Sequence, residues 1–242
     1  MRNKLCFLLL LFVTFIFPMQ GQIQNNALLR VFMLRVGNFT GSGFTLERGG
    51  KQYLITAKHL VNSLPQKGAT IEVYGAASWE DLKVNIITCK SPDVDIAALE
   101  LEKPISVSFE LEPSTKGMVF GQDAYMLGYP FGLHPLAMGG KTIPFIKRVT
   151  VSSMDQSNKD SVVWYFDGFN NPGFSGGPVV YWDRNNPNKM KVAAIISGYR
   201  PDTAEAVVNG QQVSTNILVN SGIVIAYDIQ HALDAIDASP GK

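Results

Sequence analysis

Asn170-Asn171-Pro172-Gly173-Phe174-Ser175-Gly176-Gly177-Pro178 sets one serine among three glycines, just before the apolar run of residues 179–182. A nucleophilic serine needs this kind of setting. Its hydroxyl must be exposed, and main-chain N–H groups beside it must face the oxyanion that develops. Glycine lets the backbone bend sharply and lets a second backbone come close. The same composition also suits an ordinary turn between strands, so the residues on either side decide.

The spacing Gly173-x-Ser175-x-Gly177 is also that of a nucleophile elbow. An elbow requires an apolar strand before the serine, a helix after it, and the acid and histidine later in the chain. Asn170-Asn171-Pro172 is no strand, residues 179–182 read as strand, and only His231 follows Ser175. The stretch is therefore read as a loop between strands. Further out, short apolar runs recur at 28–36, 44–46, 52–56, 70–74, 82–89 and 96–101, with 22–27 as a polar linker before them. A second set begins near Gly117, at 124–127, 145–153, 161–166, 178–182, 191–197 and 223–227. Short strands punctuated by Gly and Pro predict an all-β chain of barrels or sandwiches. Residues 200–221 form a longer excursion, in which Asn209-Gly210 signals a two-residue hairpin turn. Asp228 is placed to cap a short closing helix that buries Ile229, Leu233 and Ile236 on one face.

A serine hydroxyl needs a base within hydrogen-bond reach, and the base needs an orienting carboxylate. The chain has three histidines, His59, His134 and His231. His134 lies in a Gly/Pro loop and His231 on the closing helix, where structural roles are ordinary. His59 follows the β-branched run Ile55-Thr56 at a strand end. Asp95 opens the apolar strand Ile96-Ala97-Ala98-Leu99, at what would be a barrel rim; it could equally be a turn acid, and Asp93 competes with it. The residues chosen are His59, Asp95 and Ser175.

Three blocks carry a resemblance. Thr56-Ala57-Lys58-His59, Asp95-Ile96-Ala97-Ala98-Leu99 and Gly173-Phe174-Ser175-Gly176-Gly177-Pro178 resemble the catalytic blocks of chymotrypsin-like serine proteases, in that family's order. The flanks are similar to the bacterial high-temperature-requirement (HtrA/Deg) branch: Gly41-Ser42-Gly43-Phe44, Gly128-Tyr129-Pro130-Phe131-Gly132, Asn171-Pro172-Gly173 and the closing segment 222–229. The resemblance spans about residues 28–237. It implies two six-stranded antiparallel β-barrels, residues 22–116 and 117–242, with the site in the cleft between them. It also implies peptide-bond hydrolysis through an acyl-enzyme, with the oxyanion hole at the N–H groups of Gly173 and Ser175. Phe169 would lie near the base of the specificity pocket and Ser197-Gly198-Tyr199 along its wall. No acid is evident at Phe169, so a small or apolar residue is expected before the scissile bond. Phe174 stands where the family usually has Asp or Asn, so activation through a freshly cut N-terminus is not expected. The chain ends at Lys242, which leaves no room for the peptide-binding PDZ domain that many relatives carry. A protease fold that binds peptides without cutting them is the alternative, because fold does not fix function.

The N-terminus reads as an export signal. Arg2 and Lys4 precede an apolar run over 5–17 that ends at Pro18, too short for the roughly 20 residues of a bilayer span. Cleavage is expected after Gly21, giving a periplasmic or secreted protein without a stable membrane span. Removing residues 1–21 takes away two basic residues and no acidic one, leaving 19 basic against 20 acidic. With no basic excess, nucleic-acid binding is not expected. Cys89 is the one cysteine left, so the mature chain has no internal disulfide, and the thiol reads as a small buried hydrophobe. The histidines are scattered and one cysteine makes no zinc knuckle, so neither metal nor cofactor is expected. The partner implied is a peptide or unfolded-protein substrate.

Overall fold

The first set of runs folds as β1 (Val31–Val36), β2 (Phe39–Arg48), β3 (Lys51–Thr56), β4 (Ala69–Tyr74), β5 (Trp79–Thr88) and β6 (Ala97–Leu101). This computed structural model describes residues 23–75, 78–108, 110–136 and 141–239; the export signal lies outside them. The strands pair in the order β1-β2-β3-β6-β5-β4, and β1 returns to β4 through Leu34↔Val73, which closes an antiparallel barrel. Alternation drives the closure. In β4, Ala69, Ile71 and Val73 are buried while the residues between them face outward. They meet Leu34, Leu54 and Leu99 inside the barrel.

The second set gives β7 (Glu112–Pro113), β8 (Asp123–Gly128), β9 (Phe145–Asp155), β10 (Val163–Asp167), β11 (Pro178–Trp182), β12 (Met190–Val208) and β13 (Gln211–Asp228). Their order is β11-β8-β9-β10-β13-β12-β7, and β11 also pairs with β12, so the pairings of six strands return on themselves. A seventh strand adds to the six antiparallel strands expected. β7 joins β12 in parallel, through Lys191↔Glu112 and Val192↔Pro113. Charge pairs hold it there. The buried Lys191 ammonium lies 2.8 Å from Asp183 and 3.2 Å from Glu112, and Lys189 lies 2.8 Å from both Glu110 and Glu112. Such a segment has no apolar alternation to reveal it.

Three further points concern local structure. Residues 25–28, expected as linker and strand, form a helical turn, α1 (Asn25–Leu28), that buries Ala27, and the strand starts only at Val31. The chain after β3 turns into α2 (Lys58–Val61), one turn of helix that lifts His59 off the strand end. The 200–221 excursion is a two-stranded ribbon made by the ends of β12 and β13, with its hairpin turn at Asn209-Gly210. Asn209 (φ 52°) and Gly210 (φ 77°) both take positive φ at its tip, as a type I′ hairpin turn requires. The closing helix α3 (Gln230–Ala238) buries Leu233 and Ile236 as expected. Asp228 accepts the Gln230 N–H at 2.8 Å and the Trp164 Nε1–H at 2.9 Å. Among the described residues no helix is long and apolar enough to cross a membrane.

Candidate active site

The serine stretch is two successive β-turns. Asn171 C=O accepts the Phe174 N–H at 3.2 Å, with Pro172 at the second position and Gly173 at φ 102° in the third. That is the type II turn, which wants proline and then a residue of positive φ. Phe174 C=O next accepts the Gly177 N–H at 2.9 Å, with Gly176 at φ 84°. A methyl group on Gly173 would fall 2.3 Å from the Tyr129 carbonyl oxygen, and one on Gly176 2.2 Å from that of Ser42. The glycines are there because other backbones press on this loop.

The first barrel supplies one of them. Ser42 Oγ donates to the Gly173 carbonyl at 2.7 Å and accepts the Tyr129 N–H at 2.9 Å. The Ser42 N–H donates to the Ser175 carbonyl at 2.8 Å, and its own carbonyl accepts from Thr56 Oγ1 at 2.8 Å. One buried serine in β2 thus ties the nucleophile loop to both sheets. The signal was present in the sequence as a serine between two glycines, which marks a close approach.

His59 and Asp95 meet. Asp95 Oδ1 accepts the His59 main-chain N–H at 2.8 Å and Oδ2 lies 2.7 Å from Nδ1. This double grip orients the ring and leaves Nε2 on the side away from the carboxylate. Asp95 Oδ2 also accepts from Ser197 Oγ at 2.6 Å. Burial alone would raise the Asp95 pKa, but the hydrogen bonds from His59 and Ser197 outweigh it and hold the carboxyl below its ordinary value. Asp93 is exposed on the preceding turn, and Lys58 Nζ donates to the Pro92 carbonyl, fixing that turn to α2.

Ser175 Oγ donates to the Ser197 carbonyl at 3.0 Å. His59, Asp95, Ser197 and Ser175 therefore form one connected set, in which Ser197 bridges the acid and the serine. The Ser175 hydroxyl turns toward Ser197 and not toward the imidazole. Such bonds are often long or misdirected before substrate arrives. Among the described residues, the N–H groups of Gly173 and Ser175 have no backbone acceptor.

Phe174 is fully buried, in the core of the second sheet with Phe166 and Val179. Packing holds the ring in place. The Lys147 ammonium sits 5.6 Å from the centre of its ring, donates to Asn171 Oδ1 at 2.7 Å, and also donates to the Phe169 carbonyl. Burial lowers the Lys147 pKa. Phe169 itself is 57% exposed. Gly198 and Tyr199 pair with Ile225 and Val224 of β13. β11 pairs with β12 only as far as Ile195, so the other edge of residues 197–199 carries no strand among the described residues. The remaining histidines have structural partners: His231 Nε2 accepts the Val162 N–H at 2.8 Å, and the His134 ring packs on Tyr74.

Comparison with known proteins agrees with this fold. The fold is similar to that of the Rv3671c protease of M. tuberculosis in an inactive form (TM-score 0.53, 17% identity, 87% of this chain and 89% of that one). It is similar to the HtrA-type protease AlgW (TM-score 0.57, 19% identity), with 88% of this chain covering 60% of that one. A serine endoprotease from Yersinia pestis gives TM-score 0.56 and 17% identity over 88% of this chain and 63% of that one. Comparison with curated proteins finds no match. Residues 41–186, more than half of the chain, match the trypsin-like peptidase domain. The chain is a member of the trypsin-like peptidase domain family.

Proposed function

We propose that the protein is an exported serine endopeptidase that cuts peptide bonds through His59, Asp95 and Ser175. The observation that carries this reading is the double hydrogen bond from His59 to Asp95, in one connected set with Ser175. Ser175 Oγ attacks the carbonyl carbon of the scissile bond, and His59 Nε2 takes its proton. The tetrahedral oxyanion is received by the Gly173 and Ser175 N–H groups, each such donor contributing about 3–4 kcal/mol to transition-state binding. The imidazolium then protonates the leaving amine, and water, activated by the same ring, releases the acyl group. Asp95 positions the ring and stabilises its charged form. Ser197 positions Asp95.

The substrate main chain adds as a strand on the open edge of residues 197–199, with a small or apolar side chain before the scissile bond. The division at residues 22–116 and 117–242, and export with cleavage near Gly21, belong to the same proposal. One observation favours a second reading, a fold that holds peptides without cutting them: the Ser175 hydroxyl is bonded to Ser197. A peptide library incubated with the mature protein and with Ser175→Ala separates the two. Cleavage by the first and not the second supports the endopeptidase, and binding without cleavage by both supports the silent module.

A further inference from the structure

β12 does not end at the cleft. The strand that carries Ser197 and Tyr199 runs on without a break to Val208. β11 leaves it after Ile195, and from Pro201 to Val208 it pairs only with β13 among the described residues. One edge is therefore open from Ser197 to Val208. Its polar groups alternate. The Ser197 carbonyl faces the cleft, where it accepts from Ser175 Oγ, and the Arg200 carbonyl faces β13, where it accepts from Ser221 Oγ at 2.6 Å. The N–H and C=O of Tyr199 thus share the open edge with the Ser197 carbonyl. Pro201 has no N–H to give, and in sheets proline is confined to edges of this kind. An open edge is a template for another strand.

The ribbon that continues this edge is fixed at its root and bare beyond it. Asn220 donates to the Asn170 carbonyl, and its Oδ1 accepts the Gly222 N–H at 3.0 Å. The Gly222 carbonyl accepts the Gly168 N–H at 2.9 Å. The root is thus tied to the chain that leads into the nucleophile loop, which holds the ribbon beside the cleft. Farther out, Val207, Ile217 and Leu218 are exposed, Leu218 by 73%. Ile217 and Leu218 are neighbours on one strand, so they point to opposite faces, and neither face is covered there among the described residues. Solvent-facing apolar residues gathered on one element mark a binding surface.

The chemistry decides which part of a substrate reaches it. The leaving amine takes its proton from His59, on the first barrel, so the residues after the scissile bond lie on that side. The residues before the scissile bond are left to run along β12, away from Ser197 and toward the ribbon tip. At one substrate residue opposite each strand residue, positions 202–208 face roughly the sixth to the twelfth residue before the scissile bond.

We propose that the β12–β13 ribbon is an exosite for the upstream part of the substrate, which it takes as an extended, apolar strand added to β12. The proposal rests on the endopeptidase reading for the place of the scissile bond. A short peptide reaches only residues 197–199, whereas an unfolded segment reaches the ribbon as well, so the gain in binding comes with length on one side of the cut.

The test uses one cleavable core peptide extended to roughly four, eight or twelve residues before the scissile bond, with alternating Val and Thr as the added residues, and a control extended equally after it. Each is given to the parent, to a variant with Asn-Gly in place of residues 202–219, and to Ile217→Ser combined with Leu218→Ser. In the parent kcat/KM rises about tenfold from the shortest to the longest peptide, almost wholly through KM, because contacts far from the reacting atoms are the same in the ground and transition states. The control shows no rise. Both variants cleave the shortest peptide within about twofold of the parent; the trimmed one loses the rise, and the double substitution cuts it at least about twofold. Should the trimmed variant not fold, the double substitution carries the test. A rise that survives in both variants, a parent with no rise, or an equal gain from residues after the cut overturns the exosite and leaves the endopeptidase standing. Sedimentation reads the rival occupant: a parent dimer that trimming turns into a monomer assigns the ribbon to a second copy of the chain and overturns the exosite. Fluorescence anisotropy of the same peptides on Ser175→Ala reads binding without cleavage. A parent that cuts nothing therefore overturns the endopeptidase reading by itself, and the exosite then falls if the longest peptide binds Ser175→Ala no tighter than the shortest.

Discussion

Asp95 is the residue on which the chemistry of the site turns, because both its oxygens are engaged by His59 and one also by Ser197. Asp95→Asn keeps the shape but presents an amide where the ring needs an acceptor, so kcat should fall roughly 10⁴-fold with the fold intact. Steady-state kinetics beside circular dichroism checks this. Because the folded carboxyl is held below its ordinary value, its contribution to stability is present at neutral pH and is lost as the pH falls through the folded value. The difference in unfolding free energy between parent and Asp95→Asn should therefore shrink below about pH 4, as denaturant titrations at stepped pH would read. Cys89 gives a prediction of opposite kind. Burial pushes its thiol up to about 11, with Lys58 lowering it and Asp234 raising it by less. Alkylation of the native protein at pH 8, mapped by mass spectrometry, should be at least about a hundredfold slower at Cys89 than for free cysteine. Phe174 is the residue of the loop that the sequence explains least. Its place as a buried anchor depends on the surrounding core of Met126, Phe166 and Val179, which no local pattern discloses. Truncation to Ala should destabilise the protein by about 3–5 kcal/mol in chemical denaturation.

At the scale of elements, the ribbon of β12 and β13 stands apart. Beyond Pro201↔Asn220 its two strands pair, among the described residues, only with each other, and it shows Ile217 and Leu218 to solvent. Its base matters more than its length, since Asn220 Nδ2 donates to the Asn170 carbonyl at 2.6 Å beside the nucleophile loop. Replacing residues 202–219 by Asn-Gly should leave Tm within about 3 °C, less than the shift of a single lost kilocalorie in a domain half this size. A larger drop in a calorimetric scan would show that the ribbon bears on the core. The strands themselves were legible wherever alternation or an apolar run marked them, and the Asn209-Gly210 turn announced the hairpin. The rest was not. β7 is held by lysine–carboxylate pairs, α1 is a single turn, and the Pro130–Leu133 turn carries Phe where propensity asks for Asn or Gly.

In the whole molecule the site lies where the closed barrel meets the second sheet. His59 and Asp95 come from the first, Ser175 and Ser197 from the second, and Ser42 and Tyr129 join the two through a shared hydroxyl. The three blocks pointed to His59, Asp95 and Ser175 through a resemblance, and these lie on α2, just before β6 and in the turns before β11. The bridging role of Ser197 was not legible, and Gly41-Ser42-Gly43 signalled a close approach without its partners, since both depend on long-range contacts between sheets. The measurement that bears most directly on the account is reaction of the native, mature protein with a fluorophosphonate, followed by mass spectrometry of the labelled peptide. The account predicts one adduct, on Ser175, lost in His59→Ala and on heat denaturation. A folded protein that remains unlabelled at Ser175 under these conditions would contradict it.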